Sequence, residues 1–338
     1  MNYRNWLEET DENKIRDLLR EADETRRVHR GDAVHLRGLV ELSNYCRCRC
    51  AYCGINAGNS SVVRYRMTKE EVLPSLELAS RFGYGTIVFQ AGEDLALTEE
   101  FVADLVRTVK AYPTASGVPF AVTLSLGQRS VQSYARWREA GADRYLMRFE
   151  TSNPKLFAHL HPHDPDGLEN RILALRDLKS LGYMMGTGFL IGVPGQTAQD
   201  WVNDLELLDE LRPDMVGIGP YLPHPQTTLA QEPVNAEVPA DKITTLKTLA
   251  LIRLLLPDSY LPSTTALAAL DVLHGHEDGL CCGANVIMPN LTPQKYRRLY
   301  EIYPSKANTA EAAQEYDALL KKRIQALNRT VGRGQGGM

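Results

Sequence analysis

Four of the six cysteines in this 338-residue chain fall in one short stretch, SNYCRCRCAYCG at 43–54. Cys46, Cys50 and Cys53 are spaced C-x3-C-x2-C, and Cys48 stands between them. Three thiolates on one loop can hold three irons of a cubane cluster and leave the fourth iron open to a substrate or cofactor. Spacing alone leaves two other readings open. A zinc site ordinarily takes four ligands in two separated pairs, whereas the remaining Cys281 and Cys282 are adjacent, a poor chelating arrangement. A redox pair of Cys50 and Cys53 would leave Cys46 without a part. Cys48 has no place in the triplet and reads as a spare thiol.

A second constellation lies in ADRYLMRFE. Alternate residues of a strand face one way, so Arg144, Leu146, Arg148 and Glu150 share a face. Inside a barrel, unpaired charge is costly. Two arginines and a glutamate on that face imply a polar ligand or a mutual ion-pair network. Gly92, Glu93 and Asp94 follow a strand-like run and also suit a strand-to-helix turn with an acidic cap. His159 and His161, in AHLHP, have no third ligand nearby and read as structural. His224, in LPHP, follows a strand-like run and suits either a cavity or a structural part.

The elements that must position these residues are legible as an alternation. Short apolar or β-branched runs (HLRGLVELSN, GTIVFQAG, FAVTLSLG, RYLMRFET, MGTGFLIGVPG, MVGIGPYLP, SYLPSTT, ANVIMPN) are separated by stretches of helical period, several ending in Gly or Pro. Strand alternating with helix argues for a parallel sheet. Eight runs in a chain of this length predict a closed (β/α)8 TIM barrel, with a doubly wound open sheet as the alternative. In such a barrel the chemistry gathers at the C-terminal ends of the strands, where the cysteine loop would lie. The expected organisation is an N-terminal helical extension over 1–34, the barrel over 35–305, and a C-terminal helix with a flexible tail over 306–338.

Composition excludes several classes. The chain is 43% hydrophobic and 24% charged, an ordinary globular balance, and its formal net charge of −4 gives no global positive field for nucleic acid. The basic run KKRIQALNR follows the acidic EAAQEYD and reads as a solvated helix face. No apolar run approaches the roughly 20 residues of a membrane span. The N-terminus is acidic and amphipathic, without the apolar core of a signal peptide. A cytoplasmic protein with reduced cysteines is therefore expected, and clustered cytosolic cysteines are more often metal ligands or catalytic groups than disulfides.

C-x3-C-x2-C with Tyr52 before the last cysteine resembles the signature of the radical SAM superfamily. Further stretches, TIVFQAGED, AGADRYLMRFET, GFLIGVPGQT, GIGPYLPHPQT and GANVIMPNLTPQKYRRLYEIYP, look like the HydE maturases of FeFe-hydrogenase within it, over roughly 35–305. The resemblance implies a 4Fe–4S cluster on Cys46, Cys50 and Cys53 and S-adenosyl-L-methionine on its open iron, cleaved to a 5′-deoxyadenosyl radical. It implies that Tyr52, Gly92, Glu93, Asp94, Ser125, Arg144, Glu150, Arg171 and Gly192 bind the cofactor. Gln90, Ala91, Arg148, Thr264, Thr265, Tyr300 and Tyr303 would line the substrate cavity.

The implied substrate is a small iron–CO–cyanide–cysteine precursor in hydrogenase maturation. The implied partners are an electron donor such as ferredoxin or flavodoxin and other hydrogenase maturases. Two alternatives remain: a radical mutase acting on an amino-acid-derived substrate, like methylornithine synthase, and a non-catalytic iron–sulfur scaffold or carrier. The absence of cysteines between Cys53 and Cys281 speaks against the auxiliary cluster of biotin synthase, and their absence after Cys282 against a second, C-terminal cluster.

Overall fold

A computed structural model describes residues 3–164, 166–304 and 313–336. Two helices open the chain, α1 (Tyr3–Glu8) and α2 (Glu12–Arg30). After β1 (Ala33–Ser43) come α3 (Lys69–Phe82), β2 (Thr86–Ala91), α4 (Glu99–Lys110), β3 (Ala121–Ser125), α5 (Val131–Glu139), β4 (Arg144–Leu146), α6 (Pro154–Leu160) and α7 (Gly167–Ser180). Then follow β5 (Met184–Thr187), β6 (Leu190–Ile191), α8 (Ala198–Leu211), β7 (Met215–Val216), β8 (Gly219–Pro220) and α9 (Lys242–Leu255). The last part holds α10 (Thr265–Leu270), α11 (Gly275–Leu280), β9 (Val286–Ile287), α12 (Gln294–Arg297), α13 (Ala313–Ala326) and β10 (Thr330–Val331).

The helices start where the sequence supplies caps. Thr68, Thr98, Ser130, Asn153, Thr197 and Asp241 each accept a backbone N–H of the first turn, satisfying donors that a helix start otherwise leaves orphaned. The strands are almost wholly buried, as strands covered on both faces must be.

Parallel ladders join β1, β2, β3, β4, β5 and β7 in that order. Single parallel bridges close the ring, Met215 to Tyr260 and Pro262 to Val286, and β9 pairs with β1 at His35–Val286 and Leu36–Ile287. The eight apolar runs of the sequence therefore form the eight staves of a parallel α/β barrel. The fifth and sixth are interrupted: β6 pairs with β8 apart from the main ladder. A Cβ on Gly188 would stand 2.0 Å from the Gly217 carbonyl oxygen, so glycine there lets the two backbones meet.

The N-terminal helices dock on the barrel: the Lys247 ammonium, on α9, donates to the Leu7 and Glu9 carbonyls at 3.0 and 3.1 Å. The C-terminal tail departs from expectation. The boundary at 305 lies outside the described residues, but residues 329–336 are built into the barrel floor rather than free. β10 pairs with the start of β1. Gln335 and Gly336 offer their carbonyls to Arg144 at 2.8 and 3.1 Å, and the Gln335 side-chain Nε2 donates to Pro119 O at 2.6 Å. The physical reason is close approach: a Cβ on Gly85 would meet Gly334 O at 1.8 Å. Glycine-rich composition reads as flexibility, yet here it lets the tail lie flat against the barrel.

Candidate functional site: a cavity at the C-terminal mouth

The loop after β1 carries the cysteines and is stitched to the mouth from several sides. Gly92 N–H donates to Ser43 O at 2.9 Å, Arg47 N–H to Glu93 O at 2.9 Å, Ala51 N–H to Leu160 O at 2.8 Å and Gly54 N–H to Ile302 O at 3.0 Å. The Arg64 guanidinium donates to the Ile55 and Asn56 carbonyls, both at 2.7 Å, and to Asn44 O. Gly92 is required by contact, since a Cβ there would stand 2.2 Å from Tyr45 O.

Beneath this loop is a cavity of about 310 Å3. Cys46, Cys48, Cys50 and Cys53 all reach its wall. Glu93 N–H donates to the Cys46 sulfur at 3.4 Å. A hydrogen bond with Cys48, and then burial, holds the Cys46 thiol above its ordinary range, so a metal taking its thiolate must displace a proton. Among the described residues no group of three or more His, Cys, Asp or Glu side chains converges on one metal position. Thiolates that bind three different irons of a cubane have no need to converge on one point.

Opposite the thiols, β4 runs into an unusual turn. Glu150 has φ +69, a conformation that costs a non-glycine residue of order 1–3 kcal/mol. Its Oε1 accepts from Arg148 Nε at 3.1 Å. Its Oε2 is buried without a hydrogen-bond partner, as is Arg171 Nε. Arg171 also reaches Asp164 at 3.2 Å. The Tyr52 ring faces the same space; its hydroxyl lies 3.1 Å from His161 Nε2, and His161 Nδ1 lies 3.0 Å from Phe157 O. Burial, then the Arg171 charge, pushes the His161 pKa down to about 3. A neutral ring that donates from Nδ1 therefore accepts a hydrogen bond from the tyrosine hydroxyl at Nε2.

The cavity wall brings together most of the residues singled out from the sequence: the four cysteines, Tyr52, Gln90, Ala91, Gly92, Glu93, Ser125, Arg148, Glu150, Arg171, Thr264, Thr265, Tyr300 and Tyr303. The Thr265 and Tyr303 hydroxyls hydrogen-bond to each other. The Glu93 carboxylate points away into a structural clamp, accepting from Arg47 Nε at 2.5 Å and Gln128 N at 2.7 Å.

Three expected cofactor residues are not on the wall. Arg144 faces the barrel interior as alternation requires, but at the floor, bonded to Thr86 and the tail. Asp94 turns its carboxylate onto Arg66, at 2.7 and 2.9 Å, and Ser43, at 2.7 Å. Gly192 packs against Ala240, whose backbone nitrogen would stand 2.4 Å from a Cβ there.

The histidines divide similarly. His159 pairs with Glu232 at 2.9 Å on the surface, and His224 is buried beneath Gly54. The wall also includes Leu39, Gly127, Gly217, Gly219, Ser263, Met288 and Ile302, which the sequence reading did not single out. For Gly217 and Gly219 a signal existed, since GIG ends a strand-like run at the mouth.

The family model of the Radical SAM superfamily matches residues 40–208. The chain is 48% identical over 320 residues to the FeFe hydrogenase maturase subunit HydE of Thermotoga maritima, covering 95% of this chain and 88% of that one. It is 27% identical over 328 residues to 3-methylornithine synthase of Methanosarcina acetivorans, covering 96% and 85%. The crystal structure of methylornithine synthase (PylB) superposes with a TM-score of 0.84 at 23% identity, covering 98% of this chain and 93% of that one. No helix among the described residues is long and apolar enough to cross a membrane.

Proposed function

The chain belongs to the radical SAM superfamily and, within it, to the HydE family of FeFe-hydrogenase maturases, and from that premise we propose that it acts on a small iron–CO–cyanide–cysteine precursor in the barrel cavity. The residues present fit the family's cofactors. Three thiols from one loop share a wall with Gly92, and the orphaned Glu150 Oε2 and Arg171 Nε offer an acceptor and a donor to a zwitterionic, hydroxyl-bearing ligand. When bound, a 4Fe–4S cluster carrying S-adenosylmethionine supplies one-electron cleavage of the sulfonium and so a 5′-deoxyadenosyl radical.

The parts of the chain follow from their chemistry. Cys46, Cys50 and Cys53 are the cluster ligands. The backbone of Gly92 and Glu93, with Tyr52, Ser125, Glu150 and Arg171, binds the cofactor. Arg148 offers a planar fork of donors that stays charged at any accessible pH, suited to an anionic group of the substrate. Gln90, Ala91, Thr264, Thr265, Tyr300 and Tyr303 enclose the substrate and keep water from it. Ferredoxin or flavodoxin donates the electron in the cytoplasm, and other maturases receive the product.

The observation that carries this reading is the convergence of the cysteine loop and the unpartnered Glu150 and Arg171 atoms on one cavity. The test is anaerobic reconstitution with iron and sulfide, then incubation with S-adenosylmethionine and dithionite. Formation of 5′-deoxyadenosine, and activation of hydrogenase in a coupled maturation mixture, is the expected result. No 5′-deoxyadenosine would overturn the reading. Cleavage without hydrogenase activation would retain the radical chemistry and reject the maturation substrate.

A further inference from the structure

Glu150 is held in its strained conformation by more than its neighbours in the cavity. Thr151 N–H donates to Phe149 O at 2.9 Å, closing a three-residue turn around Glu150 at φ +69. Such a turn with positive φ is the rare, strained form. Before and at the turn the backbone is clamped: Glu150 N–H donates to Gly188 O at 3.1 Å, and Glu150 O accepts from Leu190 N–H at 3.0 Å. Immediately after it, Ser152 is fixed from outside the barrel. Its N–H and its hydroxyl both donate to Asp204 Oδ1, at 2.6 and 2.7 Å.

Asp204 is wholly buried on α8, away from the cavity wall. Its second oxygen accepts from Gln196 Nε2 at 3.3 Å, and that same amide ties the next stave, donating to Leu190 O at 3.1 Å and accepting from Gly192 N at 2.6 Å. One carboxylate thus braces both sides of the turn. A buried carboxylate is expensive, and neither of its partners is a cation. A backbone that only needed an acceptor for Ser152 could be served by a carbonyl or an amide.

We propose that Asp204, through Ser152 and Gln196, is a positioning residue that holds the Phe149–Thr151 turn in its strained form and thereby aims the Glu150 carboxylate at bound S-adenosylmethionine. The inference rests on the cofactor role given to Glu150 above. Asp204 touches neither cofactor nor substrate. Its effect on binding must therefore pass through Glu150, which makes the two residues non-additive in a way that a purely stabilising residue would not be.

The experiment measures S-adenosylmethionine binding by calorimetry to the anaerobically reconstituted holoprotein, alongside its melting temperature. Asp204→Ala is expected to weaken binding about tenfold, the usual size of a lost charge-assisted bond. Asp204→Asn keeps an oxygen for both Ser152 donors but sets an NH2 against the Gln196 Nε2 donor, so its loss should fall between wild type and Asp204→Ala. The decisive arm is the Glu150→Ala background, where Asp204→Ala should cost no further affinity. An equal loss in both backgrounds, or a fall in melting temperature with affinity intact, overturns the proposal. Should Asp204→Ala fail to fold, Ser152→Ala removes one of the two bonds and is put through the same cycle. A wild-type holoprotein that binds no S-adenosylmethionine would instead overturn the cofactor reading on which the inference stands.

Discussion

The two ends of the barrel handle the same residue type differently. Arg144 opens β4, and Arg148 lies four residues on, two past the strand's end. Arg144, at the floor, is fully buried and bonds Thr86 Oγ1 at 3.2 Å and the carbonyls of Gln335 and Gly336. Arg148, at the mouth, has a side chain 29% exposed and pairs with Glu150. The floor is closed by the chain's own tail, and its cost falls on stability: Arg144 Nε and Arg37 Nε stay buried without partners. The mouth keeps a cavity, a strained turn and a half-partnered carboxylate. Charge inside a barrel is thus not by itself a sign of a ligand. What distinguishes the mouth is room beside the charge.

The sharpest way to separate the ends is to remove the proposed cluster ligands. Cys46→Ala, Cys50→Ala and Cys53→Ala should each lose most bound iron and the brown absorbance, because a cubane on two protein thiolates is poorly held. Cys48→Ala should keep both. Iron and sulfide analysis after reconstitution decides it, and equal iron loss from the Cys48 variant would sink the ligand assignment.

At the floor, Arg144→Ala removes charge-assisted bonds and leaves a void, and should cost about 3 kcal/mol in urea unfolding. S-adenosylmethionine affinity should stay within about twofold of wild type, since the side-chain hydrogen bonds of Arg144 go to Thr86 and the tail at the floor, away from the cavity wall. A parallel collapse of affinity would show that the floor reports to the mouth.

At the mouth the signs reverse. Glu150→Ala should weaken S-adenosylmethionine binding roughly tenfold to a hundredfold, for a bond to a charged group worth about 1.5–3 kcal/mol. Glu150→Gly should lose as much affinity yet gain about 1 kcal/mol of stability, because glycine adopts φ +69 without strain. A Glu150→Gly protein that melts lower than wild type would mean the turn is not strained.

A last effect is a pH slope shared by the two ends. Burial lowers His161 to about 3 and His35, at the floor, to about 4. Each ring is neutral in the native state, while the unfolded chain takes up a proton as pH falls through about 6.5. Each therefore contributes stability that is present above pH 6.5 and is lost on acidification towards its folded value. The loss is at most about 1.4 kcal/mol per pH unit. In urea titrations the gap between wild type and His161→Phe, and between wild type and His35→Phe, should narrow from pH 7 to pH 4. A gap independent of pH would mean the rings are not held neutral.

The sequence by itself determined the cysteine loop and the barrel. Cysteine spacing is local chemistry, and C-x3-C-x2-C needs no fold to be legible. The eight staves were legible because strands buried on both faces must be continuously apolar. Alternation placed Arg144 towards the interior, as the period of an extended backbone requires, whereas β4 ends at Leu146 and Arg148 and Glu150 reach the cavity from the irregular run and turn beyond it. What alternation does not carry is height along the barrel axis. Only the tertiary structure put Arg144 at the floor, because that height depends on the register between β3, β4 and β5, where Thr123 aligns with Arg144 and Arg144 with Met184.

The same holds for Asp94 and Gly192. Gly92 reaches the cavity wall, but the Asp94 carboxylate is taken by Arg66 and the Gly192 backbone packs against Ala240, partners chosen by what lies beside each in the fold. The tail is the clearest case. Its glycines permit both disorder and close packing, and contact with Gly85 and the buried arginines, distant in sequence, selected the second.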